Sequence, residues 1–95
     1  MSSTTIPIAL LRLGRIVATP NALNRLTQAD IASAIRRHQA GDWGEVDEHD
    51  SEANSRALTQ GTRLLSVYHA HSGTKFWIIT EADRSVTTVL LPEDY

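Results

Sequence analysis

From Arg63 to Pro92 the chain places its β-branched, aromatic and aliphatic residues in three short runs. Arg63 to His69, Thr74 to Thr80 and Ser85 to Leu91 each read as a strand, a composition that fits a pleated and half-buried surface. His71-Ser72-Gly73 and Glu81-Ala82-Asp83-Arg84 separate them with turn-forming residues. Connections of about four residues cannot hold a crossover, so the runs are expected to pair antiparallel as a meander. Pro92 has no N–H to give to a ladder and ends the third strand.

Side chains alternate across a strand, so Phe76 and Ile78 share one face of the second strand while Trp77 and Ile79 share the other. In the third strand Val89 and Leu91 oppose Val86 and Leu90. Both faces are thus partly apolar. Helices on one side would leave the other in need of a cover, supplied by the N-terminal segment with Trp43 or by another chain.

Upstream the period changes. Thr19-Pro20 is a helix start, with a capping hydroxyl before a proline suited to the first helical position. A short helix is expected from there through Leu26. Thr27-x-x-Asp30 forms a capping-box pattern, and Ile31, Ala34, Ile35 and His38 follow at helical spacing. That predicts a second helix over Gln28 to Gln39, ended at Ala40-Gly41. A third helix is expected from Val46 or Asp47 to Thr59, with an acidic first turn and a thin apolar edge. Trp43, between two glycines, is expected to plug the core from its loop. Arg15 to Ala18 reads as a short strand that could add a fourth member to the sheet. The fold class is therefore α+β, N-terminal helices packed on a C-terminal three-stranded meander, in a single domain over residues 1–95. Residues 1–5 are polar and expected to be disordered.

Composition narrows the partners more than the chemistry. With 95 residues, 41% of them hydrophobic, the chain can build one core and no second. Nine basic against eleven acidic side chains give a net charge of −2 and a pI near 6.0. That lacks the basic excess of a general nucleic-acid binder. The longest apolar stretch, Ile6 to Leu11, is broken by Pro7 and too short for a signal-peptide core or a membrane span. A cytoplasmic location without a membrane anchor is the expectation. Cysteine is absent, which excludes disulfides and thiolate chemistry.

Four clusters are candidates for chemistry. His38, beside Arg36 and Arg37, could act as a general base, or simply serve the negative end of its helix. Asp42, Glu45, Asp47, Glu48, Asp50 and Glu52 with His49 form an acidic run, but their spacing matches no calcium loop. A solvated helix N-terminus or a partner-facing patch at Asp47 and Glu48 explains them. His69 and His71 flank a hairpin turn, where exposure is more common than ligation. Arg63, Lys75 and Arg84 are strand or turn cations that could hold a phosphate. None of these patterns specifies a metal or a cofactor, and none is expected. Trp77 and Ile79 are the apolar residues best placed for an interface with a protein partner or a second copy.

Several stretches carry a resemblance. Arg37-His38-Gln39-Ala40-Gly41-Asp42-Trp43-Gly44, Arg63-Leu64-Leu65-Ser66-Val67-Tyr68, Trp77-Ile78-Ile79-Thr80-Glu81-Ala82-Asp83-Arg84 and Thr87-Thr88-Val89-Leu90-Leu91-Pro92 resemble a family of short bacterial proteins. Its members are generally labelled uncharacterised or plasmid-related, and sometimes type I restriction subunits. The likeness spans about Leu13 to Tyr95. It implies a bacterial mobile-element setting and carries no activity; the expectation taken with it is a non-enzymatic interaction or accessory protein. The restriction label fits poorly, because 95 residues cannot hold a methyltransferase fold and no cofactor-binding glycine motif is present. More remotely, helices before a compact antiparallel sheet resemble the RelE- and barnase-like toxin ribonucleases. That likeness implies His38 as base, Arg63, Lys75 and Arg84 on phosphate, and Tyr68 or Thr80 orienting it.

Overall fold

The helices begin where the caps predict. The computed structural model describes residues 11–95, so the expectations for residues 1–5 and for most of the Ile6 stretch lie outside the described residues. Strand β1 (Arg15–Ala18) leads into helix α1 (Pro20–Arg25). There the Thr19 hydroxyl accepts the Ala22 N–H at 3.1 Å. Helix α2 (Gln28–Gln39) opens with a complete capping box. The Thr27 hydroxyl takes the Asp30 N–H at 3.0 Å, and the Asp30 carboxylate takes the Thr27 N–H at 3.1 Å. Helix α3 (Glu48–Gln60) starts one residue after Asp47, whose side chain accepts the Asp50 N–H at 2.8 Å. Each such cap stabilises a helix end by about 1 kcal/mol.

The three C-terminal strands are β2 (Leu64–His69), β3 (Lys75–Thr80) and β4 (Val86–Leu90), followed by a 3-10 turn over Pro92–Asp94. They form the expected antiparallel meander, and β1 joins it as a fourth strand, giving the order β1-β4-β3-β2. β1 runs parallel to β4, with Arg15 opposite Val86 and Ala18 opposite Val89. Gly14 makes that approach possible. Its φ is +63°, and a Cβ there would sit 2.3 Å from the Ser85 carbonyl oxygen. Gly44 plays the same part at the opposite edge, where a Cβ would meet the Val67 carbonyl oxygen at 2.0 Å.

The register sorts the sheet into two faces. Leu64, Ser66, Tyr68, Phe76, Ile78, Thr80, Thr87 and Val89 share one of them. Against it pack Ala22 and Leu26 of the α1 region and Ala34 of α2, in a cluster with Tyr68, Phe76, Ile78, Val89 and Leu91. Fully burying a Phe, Ile or Val contributes about 1.5–3 kcal/mol each, so this layer is the main source of stability. Trp43 belongs to the same side, in a second cluster with Ala57 of α3 and Leu64. It plugs the core from its loop as its sequence context predicts, yet it does not cover the far face. That face carries Tyr95, whose ring meets the Trp77 indole edge-on at 5.6 Å.

The β2 edge is closed by side chain and loop. Asn54 of α3 donates to the Leu65 carbonyl at 2.7 Å and accepts the Leu65 N–H at 3.1 Å. Two residues on, the Val67 N–H reaches the Trp43 carbonyl at 3.0 Å and the Val67 carbonyl accepts the Glu45 N–H at 2.8 Å. Closing an edge in this way removes a template for unwanted strand pairing. Among the described residues no helix is long and apolar enough to cross a membrane.

Candidate functional site

Three strands contribute an inward-facing hydroxyl in an otherwise apolar layer: Ser66, Thr80 and Thr87. α2 delivers His38 onto them one turn after Ala34. His38 Nδ1 lies 2.5 Å from the Ser66 hydroxyl and Nε2 lies 2.8 Å from the Thr80 hydroxyl. Thr80 and Thr87 are 2.8 Å apart, and the Thr87 hydroxyl donates to the Leu13 carbonyl at 2.7 Å. All four side chains are completely buried. Trp43 closes the end of the imidazole, its ring edge-on at 5.6 Å.

The direction of this chain of hydrogen bonds can be worked out from its last member. A carbonyl can only accept, so Thr87 spends its one proton on Leu13 and must accept from Thr80. Thr80 then has only lone pairs to offer His38, so Nε2 carries the imidazole proton. Nδ1 is left as the acceptor for the Ser66 hydroxyl. The result is a neutral imidazole with both nitrogens satisfied and every hydroxyl used as donor. Burial pushes the His38 pKa down from 6.5 to about 4, with the positive charge of Arg84 as the second cause. The arrangement is suited to holding α2, β2, β3, β4 and the segment before β1 in one register. It presents no ring nitrogen to a substrate.

The other residues proposed for a phosphate site are not brought to His38 as a set. Arg84 adopts a left-handed φ of +62° in the β3–β4 turn. It donates to the Thr62 carbonyl at 2.6 Å and the Ala57 carbonyl at 3.0 Å, closing the end of α3. Arg63 lies on the far side of the sheet, bonded to the Tyr95 hydroxyl with its guanidinium 5.4 Å from that ring. Lys75 is exposed at the hairpin end of the same far face, opposite His69. Tyr68 is buried and donates to the Asp42 carbonyl at 2.5 Å. Its pKa is raised to about 12, chiefly by burial. Thr80 does meet His38, but inside the core.

The acidic run is divided among separate tasks. Asp42 pairs with Arg37 at 2.7 Å, and this bond holds its carboxyl below the usual range. Glu45 bonds His69, and Asp47 caps α3. One potential ligand atom from each of Asp47, His49 and Asp50 lies within 4.8 Å of the others, with Asp47 and His49 exposed and Asp50 half-buried. Glu48 occupies the exposed first turn of α3. The His69 ring bonds Glu45, and the His71 backbone N–H bonds the Asp30 carboxylate at 3.1 Å.

On the far face the register aligns two adjacent rows. Val17, Thr88, Ile79 and Leu65 form one across all four strands, and Leu90, Trp77 and Val67 form the next. Ile79, Leu90 and Val67 are only 4%, 5% and 8% exposed, whereas Val17, Leu65, Trp77, Val86 and Thr88 keep part of their surface open. The Trp77 indole N–H is buried and has no partner among the described residues. No helix among the described residues packs on these rows.

In the sequence Thr87 reads as an ordinary strand residue, and Ser66 and Asn54 are not among the candidates. The available signal was a polar residue at an inward strand position between apolar neighbours, as Ser66 is between Leu64 and Tyr68. No protein-family model matches the chain, and searches of curated proteins and of solved structures also find no match.

Proposed function

We propose that this chain is a non-enzymatic interaction protein, cytoplasmic and serving bacterial mobile elements as the family resemblance implies, that takes a protein partner on the helix-free face of its sheet. One observation carries the reading: the three helices of the described residues all serve a single face, and on the other face Val17, Leu65, Trp77, Val86 and Thr88 stay partly open with no helix of the described residues over them. A two-layer domain normally hides its second sheet face or uses it. The rim beside these rows holds the cations Lys75 and Arg63. The fitting partner therefore offers an apolar patch edged by carboxylates, with the rim charges governing encounter more than affinity. The internal bonding of His38 weighs against the ribonuclease reading.

The test places a photo-crosslinking residue at Thr88, on the open face, and at Ser33, on the exposed side of α2, with expression in bacteria. A discrete adduct with a heterologous protein is expected at Thr88 only, lost on Val86→Glu with an unchanged circular dichroism spectrum. Equal adducts at both positions, or none at Thr88, would contradict the reading. Growth arrest on induction, relieved by His38→Ala, would replace it with the ribonuclease.

A further inference from the structure

The sheet has two edges, and they are treated differently. The β2 edge is closed by Asn54 and by the Trp43–Glu45 segment. On the β1 edge, Arg15 and Thr19 send their N–H groups to the Ser85 and Val89 carbonyls of the β4 side, both at 3.0 Å. Strand alternation then turns the N–H and C=O of Ile16 and Ala18 the other way, outward. The Ile16 side chain is 47% exposed. Among the described residues nothing pairs with this edge.

We infer that a second copy of this chain adds to β1, antiparallel about a dyad at Val17, joining two four-stranded sheets into one of eight strands. This stands on the sheet edge alone and holds or fails independently of the partner proposed for the open face.

Three features of the edge fit that register. First, the dyad sets Ile16 of one copy opposite Ala18 of the other, so the four outward backbone groups of each copy are all used. The ladder ends by itself, because the next outward pair joins Gly14, which leaves the strand with φ +63°, to Pro20, which has no N–H. Second, the same register sets Arg15 opposite Thr19 of the other copy, on the far face. Arg15 is exposed and has no acidic partner among the described residues. The Thr19 hydroxyl is bonded to the Asp94 carboxylate at 2.6 Å, and Asn21 binds the other carboxylate oxygen at 2.7 Å. An arginine brought to that place meets a fixed, ionised carboxylate, twice per dimer. Third, Val17 meets its own copy in a non-hydrogen-bonded pair, where side chains come closest. The pairing is self-complementary and closed, as a two-fold dimer requires.

The experiment uses the full chain in a sedimentation and light-scattering concentration series. The mass should rise from 10.5 kDa toward about 21 kDa, twice the chain, as the concentration increases. The native sequence has no cysteine, so Val17→Cys introduces a single thiol. Oxidation should link that variant into a covalent dimer, because opposed residues of a non-hydrogen-bonded pair lie about 4.5 Å apart at Cα, within disulfide reach. Thr88→Cys, one strand in, should stay unlinked, since three strand spacings separate the two copies by about 14 Å. Ile16→Pro removes an outward N–H and no bond to β4, and should leave a folded monomer. Arg15→Glu should also lose the dimer, by repulsion from Asp94. A mass of 10.5 kDa at every concentration overturns the inference. So does a dimer that survives both substitutions, or one that crosslinks as well at position 88 as at 17.

Discussion

Acidification should destabilise this protein ahead of the protonation of Asp30, Asp42, Asp83 and Asp94, and His38 is the reason. The unfolded imidazole titrates at its ordinary 6.5, while the folded one is held down to about 4 by burial. Between those values the unfolded chain binds more protons than the native one, so stability falls as pH falls. The contribution is fully present above 6.5 and disappears as the pH descends to about 4. A difference of that size corresponds to about 2 kcal/mol lost by about pH 5 and about 3 kcal/mol once the folded imidazole is protonated. Asp30, Asp42, Asp83 and Asp94 are held below their usual 3.8 by the hydrogen bonds they accept, so their contributions fade only at still lower pH. Urea unfolding at about pH 7.5 and about pH 5 isolates the imidazole from them. His38→Gln is the control: less stable throughout, but without the slope. Equal stabilities at the two pH values in the native chain would refute the reasoning. A slope of the same size in His38→Gln would refute it as well.

Two further substitutions test the frame around the site. Gly14→Ala combines a positive φ with a Cβ 2.3 Å from the Ser85 carbonyl oxygen. It should cost about 2 kcal/mol or more by thermal melting and free β1 from β4, read as faster amide exchange at Thr19. Asn54→Ala leaves the Leu65 N–H and C=O without the amide that holds both. A loss of about 1–3 kcal/mol is expected, with increased aggregation through the reopened β2 edge, measured by light scattering.

Much of the architecture was legible because it is locally encoded. Thr19, Thr27 and Asp47 mark helix starts by chemistry that acts within three residues, and the strand runs are bounded by turn residues that can do little else. The pairing of β1 with β4 was not legible. Four residues carry too little pattern to choose a neighbour, and the choice rests on Gly14 and on Thr87 reaching the Leu13 carbonyl across 74 positions of sequence. Trp43 shows the same limit, since a large apolar side chain in a loop announces burial but not which face it serves. His38 was visible as a candidate but its role was not. Its partners come from β2 and β3, 28 and 42 positions away, so their meeting depends on strand register. Arg84 reads as a turn cation and proves to close the end of α3, a contact that exists only after the sheet and helix have docked.

His38, buried with both ring nitrogens bonded to strand hydroxyls, serves the interior and is not presented to a substrate. Nitrogen-detected NMR of the ring, on protein labelled at histidine, tests it most directly. A single neutral form with the proton on Nε2 is expected, persisting to about pH 5 and exchanging slowly with water. A ring that titrates near 6.5, or carries its proton on Nδ1 and exchanges freely, would contradict it.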